Sequence, residues 1–340
     1  MLFNTVFPKR IFIFIFTFIM LLPSAAFANS ETRTQRNREL PEYYRSECPI
    51  QGTVKLNKDS KTGIEINTYL PAGYDPDTQR YDVFMALHQA GIGDLRSWID
   101  ANVKNAYVEF PCSQIYDWLI YEKRIPPIIV ISINLKQNED SEEDIRNAVL
   151  WAAKNLSTYA DEGTFAGIER AREHFFVCGL SMGAWKACSV LQKDFDLFGN
   201  YIFGYGGGYY NGDPAWSEYE TAIGRKLIKN LIVVCGKEDR SYNSNVVTES
   251  LLAKHSDRHM FKAYPGGHGF AAVIPLLYDG LSFIYDDYAY ASDKSNRIVH
   301  STAELIQLCA KTEFKKHHIL LSEYDKEFLN ESSRNFRNYN

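Results

Sequence analysis

Ser181, Asp239 and His268 have the residue types and the chain order of a nucleophile, an orienting acid and a general base. Ser181 is the centre of Gly179-Leu180-Ser181-Met182-Gly183, which has the G-x-S-x-G spacing of a nucleophile elbow. Asp239 closes Gly236-Lys237-Glu238-Asp239, and His268 lies in Pro265-Gly266-Gly267-His268-Gly269. Glycine-flanked placement after apolar runs indicates that all three side chains stand at the ends of strands.

The chemistry expected of these residues is acyl transfer. His268 would take the proton of Ser181 during attack on an ester carbonyl, and Asp239 would fix the imidazole tautomer and stabilise its charged form. Water would then release the acyl group. A turn acid and a loop histidine are the structural alternatives for Asp239 and His268, and Glu238 is the competing acid. Four other histidines are expected at the surface: His174, His255, His259 and His300.

A tetrahedral oxyanion needs two backbone N–H donors. The residue after the nucleophile, Met182, is expected to supply one of them. The second is expected from the segment Leu87-His88-Gln89-Ala90-Gly91, with Ala90 favoured over Gln89. His88 is interpreted as a buried hydrogen-bonding strut rather than a base.

An aromatic group follows the nucleophile region in the chain. The segment Gly204–Tyr210 is rich in glycine but lacks the G-x-G-x-x-G and G-K-[ST] spacings of phosphate loops. Tyr209, Tyr210 and Trp216 could instead form a wall beside the site that stacks on a ring or a sugar. Packing in the core is the alternative for these three side chains.

Short apolar runs alternate with helical stretches along the chain, as expected for a doubly wound α/β domain. The runs predict strands buried on both faces of a mostly parallel sheet, with helices covering both faces. The predicted strands are 83–87, 128–133, 175–178, 231–235 and 261–264, and the predicted helices include 141–156 and 182–193.

The two ends of the chain differ in composition from its middle. Residues 1–28 predict an export signal, since Lys9 and Arg10 precede an apolar run that closes with Ala26-Phe27-Ala28. Residues 29–45 are interpreted as a flexible leader, and 46–286 as one domain. Residues 287–340 are expected to form an extension, with a short helix before a disordered tail. A secreted or periplasmic protein, free of the membrane after cleavage, is the resulting prediction.

Charge and cysteine usage exclude several classes of protein. Without residues 1–28, which hold two basic and no acidic residues, 35 Lys and Arg face 42 Asp and Glu. This balance argues against nucleic acid as a partner. The six cysteines are too few for a disulfide scaffold and are interpreted mainly as buried thiols, although a Cys48–Cys112 bridge stays open. No metal site is expected, since adjacent His317 and His318 would point to different sides of any regular element.

Several motifs together resemble one family. They are Leu70-Pro71-Ala72-Gly73-Tyr74, Ile125-Pro126-Pro127, the G-L-S-M-G and G-K-E-D segments, and the Pro-Gly-Gly-His loop. The chain is similar over about 48–286 to esterase D-like proteins, and within them to feruloyl esterases of carbohydrate esterase family 1. Two positions depart from the family: His88-Gln89-Ala90 replaces His-Gly-Gly, and Ala184 replaces the second glycine after the nucleophile.

The resemblance implies an α/β-hydrolase fold and release of hydroxycinnamates such as ferulate from arabinoxylan, with no cofactor. A feruloylated or acylated polysaccharide or oligosaccharide would be the substrate partner. Two alternatives stay open. The first is an enzyme of the same fold that acts on acetylated xylan or a siderophore ester, or that transfers acyl groups. The second is a non-catalytic carbohydrate-binding protein that has kept the fold.

Overall fold

A computed structural model describes most of the central part of the 340-residue chain. The residues described are 44, 46–90, 98–99, 112–136, 139–161, 163–206, 215–264, 268 and 273–285. The predicted signal, most of the leader and the extension 287–340 therefore lie outside the described residues.

The described residues form one eight-stranded sheet. The strands are β1 (Thr53–Lys58), β2 (Glu65–Leu70), β3 (Asp82–Leu87), β4 (Ile128–Ile133), β5 (Phe175–Leu180), β6 (Asn200–Gly204), β7 (Ile228–Gly236) and β8 (Ser256–Tyr264). Their spatial order is β1-β2-β4-β3-β5-β6-β7-β8. β1 and β2 are antiparallel to their neighbours, whereas the pairs from β4 to β8 are parallel.

Seven α-helices accompany the sheet in the described part of the chain. They are α1 (Cys112–Tyr121), α2 (Glu142–Asn155), α3 (Phe165–Ala171), α4 (Met182–Lys193), α5 (Ala215–Ile223), α6 (Tyr242–Leu252) and α7 (Val273–Tyr285). Two short 3₁₀ turns, Arg172–His174 and Ala253–His255, precede β5 and β8. The predicted helix 182–193 is confirmed residue for residue, and 141–156 is one residue shorter at each end.

Alternation along the strands explains why their sequences are almost continuously apolar. Val83, Met85 and Leu87 of β3 belong to one buried cluster, whereas Phe84 and Ala86 belong to another. Successive side chains point to opposite faces of a strand, so a sheet covered on both faces needs apolar residues at every position. Buried side chains of α2, α4 and α6 cover the first face, and those of α1 and α7 cover the second.

These features are those of an α/β-hydrolase fold, and they confirm the predicted fold class. Several strands differ from expectation. β1 and β2, which form the antiparallel edge, have weak apolar patterns and were not predicted; in β1 no residue is fully buried. β8 begins at Ser256 rather than Phe261, since its first half carries polar residues that mask the strand pattern.

Two leucines in strands test the assignment of the core. Leu231 in β7 is 0% exposed, whereas Leu56 in β1 is 56% exposed. Leu231→Ala should lower the free energy of unfolding by about 2–5 kcal/mol, because it leaves a cavity among close-packed side chains. The matched control, Leu56→Ala, should change it by less than about 0.5 kcal/mol. Urea unfolding followed by circular dichroism measures both, and equal losses would contradict this placement of the core.

Candidate active site

Ser181 occupies a strained turn between β5 and α4. Its backbone has φ 53° and ψ −112°, a combination that L-residues other than glycine rarely adopt. The Ser181 N–H donates to the carbonyl of Gly204 at the end of β6, at 2.7 Å. The turn thus projects the serine side chain beyond the carboxyl end of the sheet, as the elbow spacing predicted.

The glycines beside Ser181 allow backbones to approach closely. A Cβ on Gly179 would lie 2.2 Å from the carbonyl oxygen of Gly183, and one on Gly183 would lie 2.2 Å from that of Leu87. A Cβ on Gly206 would lie 2.2 Å from the carbonyl oxygen of Ser181. No carbon atom fits at such distances, so all three positions need glycine. Gly206 lies outside the G-x-S-x-G spacing, and sequence reasoning did not connect it with the nucleophile turn.

One chain of hydrogen bonds joins the three predicted side chains. His268 Nε2 lies 3.0 Å from Ser181 Oγ, and His268 Nδ1 lies 2.9 Å from Asp239 Oδ2. The Asp239 side chain is fully covered, whereas the His268 side chain is 32% exposed. Since a carboxylate can only accept, Nδ1 donates to Asp239, and Nε2 is left to accept the proton of the serine hydroxyl.

The ionised form of Asp239 is favoured. Burial raises the pKa of this carboxyl, but the hydrogen bonds from His268 and from the backbone and side chain of Ser241 outweigh burial, so that the pKa is lowered. A carboxylate that stays charged beside the imidazole stabilises the imidazolium that forms when a proton moves from Ser181. The arrangement can therefore make the hydroxyl of Ser181 nucleophilic.

The competing residues do not share this geometry. Glu238 is exposed, whereas Asp239 is the carboxylate bonded to His268. His174, His255 and His259 each pair instead with an acid. His255 and His259 are half-buried, with side chains 16% and 17% exposed. His300 lies outside the described residues.

The predicted oxyanion donors lie on segments that touch. Met182 begins α4, where a backbone N–H has no partner within the helix. A Cβ on Gly183 would meet the carbonyl oxygens of Leu87 and His88, so the start of α4 packs on the segment that carries Gln89 and Ala90. Gln89 is buried and Ala90 is exposed.

His88 holds this segment in place. Its ring is buried, and the N–H of Leu135 donates to Nε2 at 2.8 Å. Nδ1 must then carry the proton, which it donates to the carbonyl of Gln89 at 2.8 Å. The C=O of one residue and the N–H of the next point in opposite directions across a trans peptide. Fixing the Gln89 carbonyl therefore also fixes the direction of the Ala90 N–H.

The predicted aromatic wall is only partly described. Tyr209 and Tyr210 lie outside the described residues. Trp216 is 1% exposed, belongs to the cluster on the first face of the sheet, and packs edge-to-face on His255 with centroids 5.1 Å apart. This burial favours the core-packing alternative for Trp216, because a covered ring has no face to offer a sugar.

Two residues near the three side chains were not found by sequence reasoning. Tyr205 follows β6 with φ 56°, and its buried ring packs edge-to-face on His268 at 5.8 Å. Burial raises the pKa of its phenol. Ser241 bonds to Asp239, two residues earlier. The glycine-rich segment Gly204–Tyr210 was the signal available for Tyr205.

The described residues supply three further observations. All five cysteines among them are buried free thiols, including Cys48 and Cys112. No cluster of three or more His, Cys, Asp or Glu that could hold a metal occurs among these residues. None of the helices within the same ranges is long and apolar enough to cross a membrane.

Known proteins with this fold include feruloyl esterases. The feruloyl esterase module from Clostridium thermocellum, a serine-to-alanine mutant complexed with sinapinate, is 22% identical with a TM-score of 0.59, covering 78% of this chain and 96% of that one. A ferulic acid esterase from Anaeromyces mucronatus in complex with ferulic acid is 18% identical with a TM-score of 0.50, covering 72% and 95%. At these identities, the likeness concerns the fold.

One curated relative is similar in sequence. Endo-1,4-beta-xylanase Y from Acetivibrio thermocellus is 26% identical over 277 residues, which is 74% of this chain and 25% of the relative. The aligned part therefore spans about a quarter of that enzyme's length. No protein-family model matches the chain.

The lowered pKa of Asp239 predicts how stability depends on pH. Because the folded-state pKa lies below its ordinary 3.8, the ionised carboxylate contributes stability above that value, and the contribution is lost as pH falls through the folded-state pKa. Asp239→Asn lacks this contribution, so its free energy of unfolding should fall less steeply than that of the wild type between about pH 5 and pH 2.

Urea unfolding at a series of pH values measures the two slopes. The exposed carboxylate of Asp257 provides the control, and Asp257→Asn should follow the wild-type curve. Parallel curves for wild type and Asp239→Asn would show that the folded state does not favour the charged form of Asp239.

Proposed function

We propose that this chain is a serine carboxylic-ester hydrolase that acts on plant cell-wall polysaccharide. Its substrate would be an arabinoxylan ester of ferulate or a related hydroxycinnamate. The observation that carries the proposal is the continuous hydrogen-bonded chain from Asp239 through His268 to Ser181, at 2.9 and 3.0 Å. Nucleophile, general base and orienting acid are then at the distances that proton transfer needs.

In the first half of the reaction, Ser181 Oγ attacks the ester carbonyl as His268 Nε2 takes the hydroxyl proton. A bond forms between Oγ and the carbonyl carbon, and the carbonyl electrons move to the oxygen, giving a tetrahedral oxyanion. When the carbonyl re-forms, the bond to the sugar oxygen breaks. His268 gives its proton to that oxygen, and the acyl group stays on Ser181.

In the second half, water takes the place of the sugar alcohol. The water oxygen attacks the acyl carbon while His268 accepts a proton from the water. His268 then returns a proton to Ser181 Oγ as the hydroxycinnamic acid leaves. Asp239 stays ionised throughout and stabilises the imidazolium present in each half. The balance is one ester and one water consumed, with one acid and one alcohol formed.

The oxyanion is assigned to the N–H groups of Met182 and Ala90, with Gln89 as the alternative to Ala90. The N–H of Met182, which has no partner within α4, and the positive end of the helix dipole both favour negative charge there. The buried strut of His88 keeps the second donor oriented before substrate binds. Preorganised donors of this type contribute about 10²–10³-fold each to turnover.

The substrate class rests on the relatives. The similar structures are a feruloyl esterase module and a ferulic acid esterase, complexed with sinapinate and ferulic acid, and the curated relative is a xylanase. Export directed by residues 1–28, which would bring the enzyme to an extracellular polymer or into the periplasm, belongs to the same proposal. So do the domain limits 46–286 and the binding role of Tyr209 and Tyr210.

Replacing the nucleophile tests the proposal directly. Ser181→Ala should lower turnover by about 10⁴-fold or more, because the acyl-enzyme cannot form. Ser189→Ala is a matched control on α4, since that hydroxyl bonds to Glu142, and it should keep wild-type turnover. Release of ferulate from feruloylated arabinoxylan measures both variants.

Parallel assays with methyl ferulate, p-nitrophenyl acetate and a siderophore ester separate the alternatives. A preference for the ferulate ester supports the proposed substrate class. A preference for the acetyl or siderophore ester would instead favour the alternative enzyme of the same fold, which acts on acetylated xylan or a siderophore ester. Equal turnover by wild type and Ser181→Ala would remove Ser181 from the mechanism. A wild type inert toward every ester would favour a non-catalytic carbohydrate-binding protein.

A further inference from the structure

Ser241 occupies the N-cap position of α6, but its side chain does not cap the helix. At this position, serine normally accepts a hydrogen bond from an N–H of the first turn. Its side chain makes no such capping bond. Ser241 Oγ instead lies 2.7 Å from Asp239 Oδ1, and the Ser241 backbone N–H donates to the same oxygen at 2.7 Å.

Asn245, one turn further along α6, sets the direction of the Ser241 hydroxyl. This residue is 0% exposed, and its Nδ2 lies 2.8 Å from the carbonyl of Ser241 and 3.1 Å from Ser241 Oγ. An amide nitrogen only donates, so Oγ accepts from Asn245 and keeps its own proton for donation. Two acceptors lie within reach, Asp239 Oδ1 at 2.7 Å and the carbonyl of Tyr205 at 3.2 Å. The nearer and charged carboxylate is the stronger acceptor.

The two oxygens of Asp239 thus have separate partners. Oδ1 accepts from both donors of Ser241, and Oδ2 accepts from His268 Nδ1 at 2.9 Å. Rotation about the last bond of an aspartate side chain is otherwise broad. Donors on Oδ1 resist this rotation and so keep Oδ2 directed at the imidazole.

We infer that Ser241, supported by Asn245, is a positioning residue for the ester hydrolysis proposed above: its hydroxyl holds the Asp239 carboxylate in the orientation that aligns His268 with Ser181. The inference rests on that proposed function. Ser241 acts through Asp239, so it affects the reacting atoms only indirectly. Ser241 Oγ also lies 3.2 Å from the carbonyl oxygen of Tyr205, and the ring of Tyr205 packs edge-to-face on His268.

Ser241→Ala tests the inference, because it removes the hydroxyl but keeps the backbone N–H. With a less tightly held carboxylate, kcat should fall about tenfold, while KM should not change because Ser241 lies behind Asp239. The acidic limb of the kcat/KM profile should move to higher pH. A carboxylate that has lost a donor is more basic, so the Asp239–His268 pair binds its proton more tightly. Ser241→Thr, which restores a hydroxyl, should restore kcat and the pH profile.

If Ser241 only stabilised the fold, its replacement would lower the Tm without changing kcat or the pH profile. The N-cap residue of another helix provides the comparison. Thr164 is the N-cap of α3, and its side chain does accept a capping bond from the N–H of Gly167. Thr164→Ala should lower the Tm and leave kcat and the pH profile unchanged. Ser250→Ala, on α6 with its hydroxyl bonded to the carbonyl of Val246, should leave all three unchanged. If Ser241→Ala behaves like Thr164→Ala, the inference is wrong.

Labelling by an alkyl fluorophosphonate distinguishes failure of the inference from failure of the proposed function. Ser181 Oγ attacks phosphorus, an O–P bond forms, the P–F bond breaks, fluoride leaves, and His268 takes the serine proton. The wild type should be labelled at Ser181, and Ser241→Ala about tenfold more slowly. Equal labelling rates with equal pH limbs would overturn the role of Ser241 alone. A wild type that is neither labelled nor active on esters would overturn the proposed function, and this inference with it.

Discussion

The site depends on one backbone constraint, the positive φ of Ser181. A residue held in such a region costs about 1–3 kcal/mol and persists only where its surroundings determine it. Here those surroundings are three glycines and a strand end: Gly179, Gly183 and Gly206 allow the backbones to approach, and Gly204 accepts the N–H of Ser181. The strained turn is what lifts the hydroxyl out of the sheet, toward His268.

The register of the parallel strands brings the strained turn at Ser181 together with the other active-site residues. Leu87 pairs with Gly179, Leu180 pairs with Gly204, and Gly204 pairs with Val234, so neighbouring strands end almost level. β7 and β8 continue the edge through the pairing of Gly236 with Tyr264. The oxyanion segment, the elbow, the acid and the histidine each follow one of these strands. Groups up to 87 residues apart in the chain thereby come within hydrogen-bond distance.

The sequence predicts those parts of the molecule that obey local rules. Continuous apolar runs reveal strands buried on both faces, and the spacing around Ser181 predicts α4 residue for residue. β1 was missed because a strand at the solvent-facing edge of a sheet needs no such run. β2 was missed because its buried positions include the polar residues Asn67 and Thr68, which interrupt the apolar pattern. Trp216 could have been core or wall, since aromatic residues suit both, and its burial at 1% exposure favours the core. Gly206 lies against the backbone of Ser181, and Ser241 bonds to Asp239; no short sequence motif includes these two contacts.

One buried ion pair joins the two elements that precede and follow His268 in the chain. Lys262 in β8 and Asp279 in α7 form an ion pair of 2.7 Å, with side chains only 9% and 1% exposed. A buried pair is weak evidence for stability, because desolvation can cost as much as the attraction gains. Its position provides a better reason for it, since β8 and α7 are the two elements that the segment carrying His268 connects. Tying them together fixes the span that the segment must bridge, and so limits where the imidazole can lie.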